Sequence, residues 1–214
     1  IIQVATLEES WLVDARALGE SAPLLRLVSP EMEVDDVILT RGDKSSEPSE
    51  CLGVFPAVLE MNLHTLAHGR FLTDLDEEQA NAVCVIGTGI RDDLFGSPEQ
   101  VGREIVPLGE VINLNDQPFT IVGMFERYEG EQEKRERELA KQRAKEPQAG
   151  PARSRGWGHR GNWAFYRKNQ TICMPLNTVW LRFRAAGDAS GIPDNRLTSI
   201  DLKVTGLEQL EPAL

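Results

Sequence analysis

Three residues that can bind a metal ion follow one another at intervals of four in the first third of the chain. They are Glu60, His64 and His68. In a regular helix, residues four apart lie on one face, so a carboxylate and two imidazoles would point to the same side. Both groups are ligands of Zn²⁺ and similar divalent ions. The helix would have to stay regular up to Gly69, however, and no fourth ligand is visible. We therefore keep this set as a metal-site candidate and favour the alternative that the side chains are solvated or cap a helix.

A glycine-containing turn follows an apolar run at 83–86. The order of a strand and then Gly87-Thr88-Gly89 is similar to the start of a nucleotide-binding loop of the Gly-x-Gly-x-x-Gly type. Asp92 stands where the third glycine belongs, and it would place negative charge beside a phosphate at this helix start. Acidic residues are favourable in the first turn of an ordinary helix. We therefore predict no nucleotide site and no cofactor here.

Motifs of nucleophilic or metal-dependent catalysis are not found in the sequence. There is no His-Glu-x-x-His, no Gly-x-Ser-x-Gly and no Cys-x-x-Cys pair. The three cysteines, Cys51, Cys84 and Cys173, each lie in an apolar run typical of a strand. We favour buried free thiols for them, and one disulfide within the chain is the alternative. The sequence thus predicts a domain without catalytic residues.

The segment 153–168 interleaves basic and aromatic side chains. That mixture is typical of nucleic-acid binding. The formal net charge of the chain is −11, and residues 131–168 hold eleven Lys or Arg against five Glu, so the remainder carries −17. A body this acidic argues against nucleic acid as a partner. The segment then either lies back on the acidic body or docks a protein or an anionic envelope component, because Trp, Tyr and Arg are favoured at interfaces. The docking candidates are Arg153, Arg155, Trp157, Arg160, Trp163, Phe165 and Tyr166.

The rest of the chain alternates between strand-like and helix-like segments. Its 214 residues are enough to bury a core as one domain or as two joined subdomains, and no apolar run reaches the ~18–20 residues that span a bilayer. Apolar periodicity and turn residues predict strands at 24–28, 34–40, 51–59, 83–86, 105–108, 111–114, 119–125, 172–175 and 197–204. They predict helices at 6–19, 60–67, 89–95 and 176–183, and a further helix from 207.

A charged insertion at 129–168 interrupts this alternation. Residues 131–146 are mostly charged, Glu131 and Arg135 are spaced for an i,i+4 pair, and Leu139 is the only large apolar side chain. A helix of this composition has no face to bury. We expect it to project from the body or to be weakly ordered.

Five short blocks in a fixed order resemble the MacB-like periplasmic core domain. The blocks are Gly69-Arg70-Phe71-Leu72-Thr73, Val83 to Gly87, Leu94-Phe95-Gly96, Val101-Gly102 and Phe119 to Gly123. Looser matches are Leu27 to Pro30, Leu52-Gly53-Val54, Met174-Pro175-Leu176 and Ile200 to Val204. The resemblance runs from about residue 20 to the end of the chain, and the charged insertion is the main departure from it.

The resemblance implies an α+β fold in two parts. The first is a porter-like βαβ subdomain at 1–67 plus 197–214, incomplete at its C-terminus. The second is an inserted mixed α/β subdomain of the Sabre type at 68–196, which carries the charged helical insertion. Family members lie on the periplasmic or extracytoplasmic side of the bacterial inner membrane, as part of an ABC-transporter permease. There the domain transmits ATP-driven conformational change to cargo or a partner protein, as in efflux or lipoprotein export.

The resemblance also implies the partners. They are a cytoplasmic ATPase subunit, the transmembrane helices of the permease, and an adaptor protein, lipoprotein or other envelope protein. The intact permease would be a dimer. We therefore expect this chain to be an excised, soluble piece of a membrane protein that has no enzymatic activity and binds no nucleic acid. The alternative is a stand-alone cell-envelope module, binding or metal-dependent, with Glu60, His64 and His68 as its site.

Overall fold

A computed structural model describes residues 2–5, 24–62, 64–131, 134–135, 137–139, 163–185 and 196–206, and only the backbone of residues 2–5. Eleven strands occur in these ranges: β1 Ile2–Ala5, β2 Leu25–Glu33, β3 Leu39–Arg41, β4 Lys44–Ser46, β5 Glu50–Val54, β6 Leu66–Gly69, β7 Val83–Ile86, β8 Val111–Leu114, β9 Gln117–Phe125, β10 Thr171–Pro175 and β11 Ser199–Val204. They form one mixed sheet in the order β1-β11-β2-β5-β10-β7-β9-β8-β3-β4, and β6 pairs with β9.

The helices that accompany this sheet are short. They are α1 Val58–Met61, α2 Asp74–Glu78, α3 Thr88–Phe95, α4 Pro98–Val101, α5 Trp163–Asn169 and α6 Leu176–Val179. A π-helical turn at Trp180–Arg184 continues α6. One sheet with a few helices confirms the α+β class. Among the residues described, no helix has the length and apolar character needed to cross a membrane.

Strand β10 lies at the centre of the sheet, parallel to β5 and antiparallel to β7. All five of its residues are buried, as expected for a strand that is covered on both faces. Its side chains alternate between two hydrophobic clusters. Ile172 and Met174 pack in the cluster that contains Ile90 of α3, whereas Cys173 packs in the one that contains Phe71 and Phe125. The core therefore lies on both sides of the central strands.

The same strand connects the two parts that the family resemblance separates. Its neighbour β5 lies in the expected porter-like part, 1–67, and its neighbour β7 lies in the expected insert, 68–196. In the described structure the two parts share one continuous sheet. The division into 1–67 plus 197–214 and 68–196, with an insertion at 129–168, remains a prediction.

Several predicted elements coincide with the observed ones. Residues 83–86 form β7, 111–114 form β8 and 89–95 lie in α3. The expected strand at 51–59 ends at Val54, before Pro56 and α1. The expected strand at 34–40 is reduced to Leu39–Arg41, because the backbone turns at Asp36 with a φ of 53°.

Two other local predictions are wrong. Residues 105–108 form no strand; the carbonyl of Ile105 accepts a hydrogen bond at 3.0 Å from the Arg91 side chain instead. The expected helix at 60–67 is cut to its first two residues, because α1 spans Val58–Met61 and Leu66 already pairs with β9. Tertiary pairing thus overrides the local helical pattern.

Part of the charged insertion is described. Residues 131, 134–135 and 137–139 are helical, and Arg137 forms an ion pair with Glu129 at 2.9 Å. Residues 163–169, for which no secondary structure was predicted from the sequence, form α5. The predicted helices at 6–19 and from 207 lie outside the described residues.

Candidate functional site

The Gly-Arg-Phe block of the sequence forms a polar joint between β6 and α2. The Thr73 hydroxyl accepts a hydrogen bond from the Asp76 N–H at 3.3 Å, and the Asp76 carboxylate accepts one from the Thr73 N–H at 3.0 Å, which is a capping box. Two Arg70 nitrogens donate to the same carboxylate at 2.5 and 3.1 Å, and Asn81 donates at 3.2 Å. Burial tends to raise the pKa of Asp76, but these bonds outweigh it and hold the pKa well below its ordinary value. The joint is a structural anchor for α2.

The glycines of two sequence blocks meet beside this joint. Gly69 has a φ of +77°, and a Cβ there would lie 2.3 Å from the carbonyl oxygen of Val122. A Cβ on Gly123 would lie 2.2 Å from the carbonyl oxygen of Arg70. Only glycine fits such a close crossing of two backbones. Two of the blocks that carry the family resemblance therefore have a packing role.

The glycine turn after β7 is explained in the same way. A Cβ on Gly87 would lie 2.2 Å from the carbonyl oxygen of Asn169, at the end of α5. Asp92, expected in the first turn of α3, lies beyond that turn, because α3 already begins at Thr88. It pairs with Arg91 at 2.7 Å and with Arg127 at 2.9 Å. The space beside this glycine is thus filled by the protein's own backbone, and packing accounts for the glycine.

The three metal-site candidates do not share a face. Glu60, in α1, pairs with Arg26 at 2.7 Å and with Lys203 at 3.0 Å. His68, in β6, faces Glu104 at 3.7 Å. The proposed helical face fails because the helix ends before either histidine. Among the described residues, no group of three or more His, Cys, Asp or Glu side chains is placed to hold a metal ion.

The remaining candidate, His64, belongs to an aromatic cluster. Its Nδ1 lies 3.1 Å from the Tyr128 hydroxyl, and its ring stacks on Phe125 with centroids 4.6 Å apart. Burial, assisted by the positive charge of Lys168, lowers the pKa of His64 to about 4. The imidazole is therefore neutral at pH 7 and has a packing and hydrogen-bonding role.

Helix α5 presents the described part of the basic aromatic segment. Trp163 is 68% exposed and stacks on Tyr166 with centroids 5.6 Å apart. Arg167 forms an ion pair with Glu50, and the Lys168 ammonium lies 4.7 Å from the centre of the Tyr128 ring. One side of α5 thus lies on the acidic body while its aromatic side is open. Phe165 is half-buried; Arg153, Arg155, Trp157 and Arg160 lie outside the described residues.

An acidic pocket on the sheet was not predicted from the sequence. This pocket has a volume of about 290 Å³ and is lined by Glu31 and Glu33 of β2, Glu50 of β5 and Asp201 of β11, together with His64 and Arg167. Ser199 pairs with Glu31 across the two strands, so residues two apart in each strand bring the carboxylates to one face. The alternation of polar and apolar residues in β2 and β11 is the signal that could have identified it.

Two carboxylates in this acidic pocket are buried and incompletely paired. Glu31 and Asp201 are only 8% and 5% exposed. The Ser199 hydroxyl donates to Glu31 Oε2 at 3.2 Å, but Glu31 Oε1 and Asp201 Oδ1 have no hydrogen-bond partner in the described structure. Burial, and next the charge of Asp201, raises the pKa of Glu31 to about 7; burial also raises the pKa of Asp201.

The neighbouring carboxylates differ in their pairing. Glu50 is held by Arg167 and by the Thr171 hydroxyl at 2.9 Å. For Glu33, burial raises the pKa, with Asp35 and Glu50 adding to the effect. In the acidic pocket, Arg167 therefore neutralises Glu50. The other three carboxylates, of Glu31, Glu33 and Asp201, lack a cationic partner at ion-pair distance in the described structure.

A comparison with protein families matches residues 2–137 to the model described as the MacB-like periplasmic core domain. The macrolide export ATP-binding/permease protein MacB of Bdellovibrio bacteriovorus is 32% identical over 77 residues, which are 36% of this chain and 11% of that protein. The pyoverdine export ATP-binding/permease protein PvdT of Pseudomonas syringae pv. tomato is 35% identical over 72 residues, which are 34% of this chain and 10% of that protein. The match thus spans about a tenth of the length of these relatives.

Solved structures show the same fold. The periplasmic region of MacB from Actinobacillus actinomycetemcomitans superposes with a TM-score of 0.61 at 19% identity, over 99% of this chain and 72% of that one. The extracellular domain of the noncanonic ABC-type transporter YknZ from Gram-positive bacteria gives 0.61 at 12% identity, over 94% and 75%. At these identities the likeness concerns the fold.

Proposed function

The chain belongs to the MacB-like periplasmic core domain family, and we propose that it is the extracytoplasmic domain of an ABC-transporter permease that transmits ATP-driven conformational change to cargo or to a partner protein. In this proposal it lies at the periplasmic face of the bacterial inner membrane and serves efflux or lipoprotein export. The relatives that match at 32% and 35% identity are named as exporters with ATP-binding and permease parts, which supports the assignment.

The observation that carries the proposal is the continuous sheet. Its order runs from β1 and β11 at one end, through the buried centre, to β3 and β4 at the other. Tightly packed interiors have low compressibility and transmit displacement. A movement applied at one end of this sheet would therefore reach the other end as a rigid-body shift rather than being absorbed inside the domain.

The proposal assigns no chemistry to the domain itself. ATP hydrolysis would belong to a cytoplasmic ATPase subunit, and the transmembrane helices of a dimeric permease would carry the movement to this chain. No cofactor is required. The alternative of a stand-alone metal-dependent module loses its candidate site, because Glu60, His64 and His68 contact different partners.

The docking surface in this proposal is the outward side of α5 with the basic segment before it. Trp163 and Tyr166 are exposed and stacked, and exposed aromatic residues with nearby arginines are favoured anchors of protein interfaces. Arg153, Arg155, Trp157, Arg160 and Phe165 complete the proposed set. The partner would be an adaptor protein, a lipoprotein or another envelope protein.

A transport assay on the complete permease tests this. We expect Trp163→Ala combined with Tyr166→Ala to lower transport several-fold while the basal ATPase rate is kept, because docking is weakened and the motor is untouched. Leu181→Ala is the matched control, since Leu181 is also an exposed apolar residue, at 53%, outside the docking set. Unchanged transport in the double variant would remove the docking surface from the proposal, and transport that survives deletion of the whole domain would refute the function.

A further inference from the structure

We propose that the acidic pocket binds an organic cation through its guanidinium or ammonium group, with Glu31 and Asp201 as the two acceptors. This goes beyond a role in transmitting movement and does not depend on it. The N–H donors would come either from a free amine or guanidine, or from an Arg or Lys side chain of a polypeptide.

The first argument is the pair of unpartnered oxygens. Glu31 and Asp201 both line the cavity, and their side chains are more than nine-tenths buried. The two carboxyl groups hydrogen-bond to each other when Glu31 holds a proton. Once that proton leaves, Glu31 Oε1 and Asp201 Oδ1 have no hydrogen-bond partner in the described structure. A buried acceptor that stays unpaired costs about 1–3 kcal/mol, and more when it is charged. A ligand that donates to both oxygens would remove that cost.

The second argument is charge. Glu31, Glu33 and Asp201 lack a cationic partner at ion-pair distance in the described structure, whereas Glu50 already has Arg167. The neighbouring His64 is neutral at pH 7, because burial lowers its pKa. Among the described residues, Arg167 is the one cation at ion-pair distance from these four carboxylates, and Arg184 acts on Glu33 only from farther away. Glu31 and Asp201 therefore have no ion pair with a described residue.

The third argument is size and geometry. Bound metal ions need several ligands at 2.0–2.6 Å, and no such group is formed by the described residues. A cavity of about 290 Å³ is instead large enough for an organic group. A guanidinium presents N–H donors in a fixed fork that matches two neighbouring acceptors.

Isothermal titration calorimetry of the 214-residue chain at pH 8 tests the proposal. The probes are agmatine, as a free cation, and the peptide acetyl-Gly-Arg-Gly-amide, as a side-chain source; acetyl-Gly-citrulline-Gly-amide has the same shape without the charge. We expect agmatine, the arginine peptide or both to bind, and the citrulline peptide to bind at least tenfold more weakly. Agmatine alone would indicate a small-molecule ligand, and the arginine peptide alone a polypeptide partner.

The variants separate this site from adventitious binding. Glu31→Gln and Asp201→Asn keep the size of each side chain and should each weaken binding at least tenfold, whereas Glu78→Gln, an exposed glutamate of α2 outside the pocket, should bind as the wild type does. Affinity should also fall between pH 8 and pH 6, because the proton on Glu31 must leave before the cation binds. The proposal is overturned if neither cation binds, if the citrulline peptide binds as well as the arginine peptide, if both pocket variants retain wild-type affinity, or if only Mg²⁺ or Ca²⁺ binds there.

Discussion

The polar joint at Asp76 offers the sharpest test of how the Gly-Arg-Phe block stabilises the fold. The Asp76 carboxylate accepts two hydrogen bonds from Arg70, two from Thr73 and one from Asn81. Asp76→Asn keeps the size of the side chain but replaces one acceptor oxygen with an NH₂ donor and removes the charge. Three of these donors share Oδ2, and the other two, from Arg70 and Asn81, share Oδ1. The amide has one acceptor oxygen, so in either orientation its NH₂ group faces at least two N–H donors.

The expected loss follows from these bonds. Hydrogen bonds to a charged group contribute ~1.5–3 kcal/mol against ~1 kcal/mol for neutral ones, so the two Arg70 bonds lose about 2 kcal/mol together. A donor left unsatisfied opposite the amide NH₂ group adds about 1 kcal/mol. The sum is about 2–4 kcal/mol, which corresponds to a fall in Tm of roughly 4–16 °C for a chain of this size.

Urea unfolding at pH 7 and pH 3 measures this loss, with Asp74→Asn as the control, because Asp74 is an exposed acid in the same helical turn. The folded-state pKa of Asp76 is depressed, so its contribution is complete above the unfolded value of about 3.9 and is lost as the pH falls further. The gap between wild type and Asp76→Asn should therefore narrow at pH 3. Equal stability of the two proteins at pH 7, or a gap that does not narrow, would refute this reasoning.

Three further predictions concern the backbone crossing, the acidic pocket and the insertion. Gly69→Ala should lower the free energy of unfolding by at least ~3 kcal/mol, because the new Cβ meets a carbonyl oxygen. Gly109 has a similar positive φ but open space around it, so Gly109→Ala should cost only about 1–2 kcal/mol, and equal losses of the two variants in urea titrations would contradict this. The folded-state pKa of Glu31 is raised from 4.5 to about 7, so the stability of the wild type should fall relative to that of Glu31→Gln as the pH rises from about 4.5 through 7. A difference in urea midpoint between these two proteins that stays constant from pH 5 to pH 8 would contradict this prediction. Replacement of 140–162 by a short Gly-Ser linker should leave the Tm almost unchanged, since loop length adds little closure entropy, and a large fall in Tm by calorimetry would place that segment in the core.

Sequence reasoning succeeded where local pattern and tertiary role agree. The apolar run at 83–86 became β7 because it is buried in the sheet, and the order of the short blocks led to the family that the comparison confirms. The glycines in those blocks are placed by backbone crossings, as at Gly69 and Gly123.

Sequence reasoning failed where long-range pairing decides the outcome. Glu60, His64 and His68 have helical spacing, yet β6 pairs with β9 and separates them. Glu31 and Asp201 are 170 positions apart in the chain and come together only because β11 pairs with β2. Spacing along the chain carries no signal for such a site; only the polar alternation within each strand hints at it.

We propose that the domain moves as one body when the permease hydrolyses ATP. Fluorescence energy transfer in the complete permease tests this. One dye is placed on Asp43→Cys, in the turn between β3 and β4, and the other on Gly206→Cys, just after β11. An acceptor lipid in the membrane reports the distance from each dye to the membrane. The native cysteines are buried and should react slowly. The account predicts that ATP changes the distance between each dye and the membrane while the distance between the two dyes stays constant. Dye-to-membrane distances that do not respond to ATP, or a distance between the two dyes that changes instead, would contradict it.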